Sequence, residues 1–281
     1  MPARQPPPQE PEPPSEERDR KEAEERSAVG AHVIYEAIRM EGEEELSRPT
    51  SALAWSGFAA GLSMGFSLVS EGVLRYHLPD TPWRPLITKL GYAVGFLIVT
   101  LGRQQLYTEN TLTPIIPLLS RKSWVVTNHV LRLWAAVLLA NLVGTMLFAL
   151  VVGQTGVFDY GLKATLADIG REAAGRDFGV HLLTGIFAGW LIALMVWMLP
   201  GGHFARFWII ILITYLIGLA RFSHIIAGSV NVFYLVATGE LSFGAYVGSF
   251  LVPVFLGNTL GGVALVAALN HAQVVAGEEA A

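Results

Sequence analysis

Gly102-Arg103-Gln104-Gln105-Leu106-Tyr107-Thr108-Glu109-Asn110 interrupts an apolar stretch running from residue 86 to residue 119, and Arg221-Phe222-Ser223-His224-Ile225-Ile226-Ala227-Gly228-Ser229 interrupts another, 207 to 237. Hydrocarbon offers these polar groups no hydration. At membrane depth such a break is tolerated only where it is buried in protein or lines a water-filled cavity. Both interruptions therefore point to a pathway, which makes transport the first function class to weigh.

Working outward, about 20 predominantly apolar residues cross a bilayer. Six segments reach that length: 51–74, 86–119, 129–153, 179–199, 207–237 and 243–269. The second and fifth are too long for one straight span, and each reads as two half-helices flanking its break. A broken helix in second place of each triplet predicts an all-α integral membrane protein. Its six transmembrane helices form two inverted three-helix repeats, aquaporin-like, with helices 2 and 5 broken. Rows of small residues, Gly57, Gly61 and Gly65 in the first segment and Gly257, Gly261 and Gly262 in the last, let helix backbones approach in lipid. Packing within one protomer is the simpler account of them.

Composition agrees with this setting. Of 281 residues, 52% are hydrophobic and 15% charged, with mean hydropathy +0.47. Residues 1–50 hold 7 of the 19 Lys and Arg and 13 of the 23 Asp and Glu. The expected organisation is a disordered, charged, Pro-rich cytoplasmic tail over 1–28, then an amphipathic N-terminal helix over 29–48. A channel domain follows over 49–272, and a short C-terminal tail over 273–281. The N-terminal helix is read from the stripe Val33, Ile34, Ala37, Ile38 and Leu46. The tail lacks the basic-then-apolar order of a secretory signal peptide. Arg121, Lys122, Arg132 and Arg206 mark their loops, and with them both termini, as cytoplasmic, although Arg75, Arg84 and Lys89 argue the other way. The reading is a multi-pass protein of the inner or plasma membrane.

Several chemistries are disfavoured. With no Cys there is no disulfide, thiolate catalysis or cysteine metal site. No HExxH spacing, dinucleotide fingerprint or phosphate loop occurs, and the basic residues do not interleave with aromatics as a nucleic-acid surface requires. No enzyme activity, cofactor, metal or nucleic-acid partner is expected. The remaining alternative to transport is a membrane scaffold or sensor whose pore is sealed by an Arg103–Glu109 or Arg221–Glu109 pair.

The breaks also supply a mechanism. A bare carboxylate does not enter a low-dielectric constriction unaided. Its neutral acid can, but with a reference pKa near 4 only about one molecule in a thousand is protonated at pH 7. A histidine is suited to moving that proton, so His224 is expected to act as relay or electrostatic gate. Thr108 would donate to the anion or orient the imidazole. His77, His129, His181, His203 and His271 fall at segment ends and read as interfacial. Arg103, Glu109 and Arg221 are candidate pore charges. The two arginines either attract anions or are tied to Glu109 and half-helix carbonyls.

Leu106-Tyr107-Thr108 in a broken second helix, Phe222-Ser223-His224 in a broken fifth and Gly257-Asn258-Thr259-Leu260-Gly261-Gly262 in the sixth resemble the formate/nitrite transporter family. Residues 185–197 are similar to its fourth helix. The resemblance covers about residues 30–270 and implies a homopentamer in membrane lipid. Each protomer would have its own pore for small monovalent anions such as formate, nitrite or hydrosulfide. It assigns Thr108 and His224 to the centre of the substrate pathway, Leu106 and Tyr107 to a cytoplasmic constriction and Ile217 to a second one. Asn258 is assigned to holding the loop and histidine. The chain departs from the family pattern in an extra charged residue between Gly102 and Leu106. Gly189 replaces an asparagine, Ile192-Ala193 replaces a Val-Cys, and a longer loop follows His224. The outer-vestibule lysine has no counterpart; Arg171 and Arg176 lie nearby. These departures mark a divergent branch.

Overall fold

The computed structural model describes residues 29–202 and 204–279, so the predicted tail over 1–28 and His203 lie outside the described residues. Every described element is helical. They are α1 (Ala31–Ser47), α2 (Thr50–His77), α3 (Arg84–Leu101), α4 (Ile115–Arg121), α5 (Trp124–Gln154) and α6 (Tyr160–Ala174). After them come α7 (Phe178–Met198), α8 (Arg206–Leu219), α9 (Ile225–Thr238) and a last helical run, α10. Within α10, α-helical Phe243–Ala245, Val252–Leu260 and Leu269–Glu279 alternate with π-helical Tyr246–Leu251 and Gly261–Ala268.

Five helices are long and apolar enough to cross a bilayer: α2, α3, α5, α7 and Phe243–Val274 of α10. The apolar stretch 207–237 is instead divided between the shorter α8 and α9. Trp55, Leu139, Leu183, Trp208 and Leu212 stand exposed on the outer faces, an exterior suited to hydrocarbon rather than water. The glycine rows face inward. A β-carbon on Gly61 would run into the Asn141 carbonyl of α5, and one on Gly261 into the Ile186 carbonyl of α7. These rows therefore close α2 on α5 and α10 on α7. Gly189 does the same work at the Asn258 carbonyl, which explains why no larger side chain stands there.

Both breaks begin with the same turn. Gln104 N–H bonds the Val99 carbonyl at 2.9 Å and Arg103 N–H the Thr100 carbonyl at 3.2 Å. Phe222 and Arg221 repeat the pattern on Ile217 (3.0 Å) and Gly218 (3.2 Å). This is the Schellman ending of a helix, normally built on glycine at its left-handed position. Here arginine occupies it twice, Arg103 at φ 50° and Arg221 at φ 56°.

Four expectations are corrected. The second break is shorter than 221–229, because helix resumes at Ile225. His224 accepts the Ala227 N–H and Asn258 accepts the Ile225 N–H, so the first turn of α9 is capped at once. No longer loop follows His224. The first break runs on to Pro114, through a single 3-10 turn at Glu109–Thr111. In α1 the buried stripe is Tyr35, Ile38, Gly42 and Leu46, while Val33 is 58% exposed; the i, i+3, i+7 register of the aromatic ring and the glycine sets the face.

Candidate functional site between two cavities

Thr108 and His224, from different breaks, meet in the interior at 0% and 1% exposure. His224 Nδ1 accepts the Ala227 N–H at 3.2 Å. The ring proton of the neutral imidazole is therefore on Nε2, which donates to Thr108 Oγ1 at 2.8 Å. Phe96 of α3 packs edge-on against the imidazole, with ring centroids 4.9 Å apart. The Thr108 hydroxyl proton has no side-chain partner among the described residues, which leaves it available to donate.

The two breaks are held by two asparagines in mirrored fashion. Asn258 Oδ1 accepts from Ile225 N–H at 2.8 Å, and its amide donates to the Gly185 and Ser223 carbonyls. Asn141 Oδ1 accepts from Tyr107 N–H at 2.9 Å, and its amide donates to the Gly57 and Gln105 carbonyls. Asn141 was missed in the sequence because a lone asparagine in an apolar helix carries no spacing signal.

A cavity opens on either side of this contact. One, about 70 Å³, lies beside α6 and is lined by Lys89, Glu71, Ile217, Arg221 and His224 among others. The other, about 240 Å³, lies beside α1 and is lined by Glu41, Glu45, Arg103, Leu106 and Glu109 among others. Ile217 and Ile210 of α8 line one cavity each. They stand seven residues apart, so the cavities are about 10 Å from one another along that helix. Leu106 thus faces one cavity and Ile217 the other. Tyr107 lines neither: its ring packs against Trp134 and Phe255, and its hydroxyl meets Thr259 Oγ1 at 2.8 Å.

The charges sit differently from the sequence expectation. Arg103 is 70% exposed and pairs with Glu41 of α1 at 2.6 Å. Arg221 is 57% exposed and lies 3.6 Å from Glu172 of α6. Neither pairs with Glu109, which accepts a 2.7 Å hydrogen bond from Thr100. The left-handed turn throws each arginine out to a cavity mouth instead of into the membrane interior. Arg75 also bonds Glu172 at 2.7 Å. Burial pushes the Glu172 carboxyl up, but the Arg75 hydrogen bond and the Arg75 and Arg221 charges outweigh it and hold the group below the usual carboxylate range. Arg171 is tied to Asp168 and Glu240. Arg176 has no carboxylate within ion-pair distance among the described residues and donates to the Arg221 carbonyl at 2.5 Å.

Two further side chains escaped the sequence reading. His181, expected at an interface, is fully buried, with Nδ1 3.0 Å from Ser223 Oγ beside the central histidine. It starts a helix in the sequence, but the second break folds over it. Glu45 of α1 accepts from Gln105 Nε2 at 2.9 Å and from Thr113 Oγ1 at 2.7 Å, fastening α1 to the first break. Burial pushes its carboxyl up to about 6 against those two hydrogen bonds.

A family model described as formate/nitrite transporter matches residues 32–272. Inner membrane protein YfdC of Escherichia coli (strain K12) is 39% identical over 251 residues, 89% of this chain and 81% of that one. Formate channel BtFdhC of Bacillus thuringiensis is 30% identical over 245 residues, 83% of this chain and 91% of its own. Among solved structures, a pentameric formate channel with formate bound superimposes with TM-score 0.69 at 20% identity, over 80% of this chain and 98% of that one. The fold, the two breaks and these likenesses agree, and the chain belongs to the formate/nitrite transporter family.

Proposed function

We propose that this protein is a channel for small monovalent anions and their weak acids, with the hydrogen-bonded pair Thr108–His224 as its gate. The observation that carries the reading is that pair, buried between two cavities that are each lined by both acidic and basic side chains. Six spans in two inverted repeats fit the mirrored Schellman turns and the mirrored asparagines. Taking the α1 side as cytoplasmic follows the positive loops around Arg121 and Arg132 and makes the α6 side the outer mouth. There Arg176 and Arg221 would gather anions, with Arg176 in the part of the missing lysine. A pentamer is supported by the assembly of the formate channel to which the fold is similar.

The gate works by offering hydrogen bonds where water is absent. An anion stripped of water loses tens of kcal/mol of Born solvation in the limit of low dielectric. The free Thr108 hydroxyl proton, and His224 Nε2–H once released from Thr108, are two donors that replace part of that hydration. The scaffold alternative required a pore locked by Glu109, and neither arginine is bonded to it.

The test is stopped-flow uptake into proteoliposomes of formate, nitrite, acetate and hydrosulfide between pH 5 and 8. Faster uptake than in protein-free vesicles for at least one of them is expected. Vesicles no more permeable than controls to all four would sink the reading in favour of a scaffold.

A further inference from the structure

Resting on the transport reading above, the structure poses a proton problem. A weak acid that crosses as HA must shed its proton on the inner side. His224 is poorly placed to receive it. Its Nε2 already carries the ring proton, so a second would go to Nδ1, where the Ala227 N–H points at 3.2 Å. Two N–H groups would then face one another, and a cation would stand at the N-terminus of α9, where the aligned peptide dipoles are already positive. Protonation would also strip α9 of its cap. The histidine is built to stay a neutral donor.

The residue after Thr108 is the alternative. Glu109 stands on the 3-10 turn immediately beyond the gate. His224 lines the outer cavity and Glu109 the inner one, so the imidazole and the carboxylate face opposite sides of one seal. One carboxylate oxygen accepts from Thr100 at 2.7 Å. No basic group lies within ion-pair distance of it among the described residues, unlike Glu41 and Glu71. The charged groups sharing its cavity are Glu41, Glu44 and Glu45 of α1, Arg48 just beyond it, Arg103 in the break and Arg206 at the start of α8.

We propose that Glu109 is the inner proton acceptor of the pathway. An inward-moving acid gives its proton to the carboxylate: the H–A bond breaks, an O–H bond forms on Glu109, and A⁻ is left in the inner cavity among Arg48, Arg103 and Arg206. The protonated Glu109 then passes the proton to water in that cavity and is restored as carboxylate. Export runs the same steps backwards. The carboxylate sits where released anion and released proton can part, each toward water.

The experiment uses full-length protein in proteoliposomes containing an entrapped pH dye, with formate as the probe and internal pH varied. Glu109→Gln keeps the acceptor for the Thr100 hydroxyl. It is expected to lose about ten-fold or more in formate-driven acidification, with the residual flux no longer dependent on internal pH. Glu109→Asp is expected to recover part of the rate together with the pH dependence. Thr100→Val, which removes the hydrogen bond favouring the carboxylate, is expected to move the midpoint of the flux profile to higher pH. A glutamine variant with wild-type rate and profile overturns the proposal. So does one with reduced rate and an unchanged profile, the mark of a structural carboxylate. If the glutamine variant does not fold, an unmoved midpoint in Thr100→Val overturns it. Wild-type vesicles that carry none of the four solutes fail the channel reading instead, an outcome separate from these.

Discussion

Asn141 does for Tyr107 what Asn258 does for Ile225: each accepts a backbone N–H at a break and returns its amide to two carbonyls, one in the break and one in a neighbouring helix. One asparagine per break thus stitches an interrupted helix to a neighbouring one. Both are fully buried, where unmade hydrogen bonds are costly because no water replaces them.

Asn141→Ala and Asn258→Ala should each destabilise the protein by about 3 kcal/mol, since at least two buried backbone groups lose their partner. The midpoint of thermal unfolding in detergent measures this. A drop in Asn258→Ala with none in Asn141→Ala would show that the two breaks are not held alike.

His224→Asn separates capping from gating. Asparagine is a good N-cap, so α9 should keep its start and stability should change by less than about 1 kcal/mol. Its shorter side chain withdraws the donor from Thr108, and flux of formate should change several-fold. Stopped-flow uptake and thermal unfolding on the same preparation give both numbers; unchanged flux with intact folding would remove the gate assignment.

Arg221→Gly should raise stability by about 0.5–1 kcal/mol, because glycine enters the left-handed region without the β-carbon clash. Its pair with Glu172 spans 3.6 Å with the arginine more than half exposed, and such pairs contribute little. Anion uptake should fall at low ionic strength and converge on wild type at high salt, as screening removes the field of the arginine. Uptake measured at two salt concentrations checks it.

Stability should depend on pH through Glu45. Its folded-state pKa of about 6 lies above the ordinary carboxylate value, so the folded protein binds the extra proton. The contribution is greatest below the ordinary value and is lost as pH rises to about 6. Glu45→Gln keeps acceptor and donor toward Gln105 and Thr113 and removes the titration. It should flatten that slope and gain about 1–2 kcal/mol at pH 7. Unfolding midpoints across pH 4.5 to 7.5 decide the matter, and a variant with the wild-type slope would assign the titration to another group.

Much of the fold is legible in the chain because membrane solvation is a local rule. Each stretch of about 20 apolar residues declares itself, and a polar insertion within one has few ways to be accommodated. Thr108 and His224 could be singled out for that reason. His181 could not: at a segment end the same residue type is equally at home at an interface, and only the fold of the second break over α7 buries it.

By itself the sequence determined the apolar segments and where two of them are interrupted, since length and hydropathy act within one segment. Only the tertiary structure decided where the charges went. Arg103 and Arg221 sit in left-handed turns that aim them at the mouths, toward Glu41 and Glu172. It also decided that the imidazole proton is on Nε2, because that depends on Ala227 N–H meeting Nδ1. Hydrogen-bond direction is a property of neighbours brought together by folding, and no spacing along the chain encodes it.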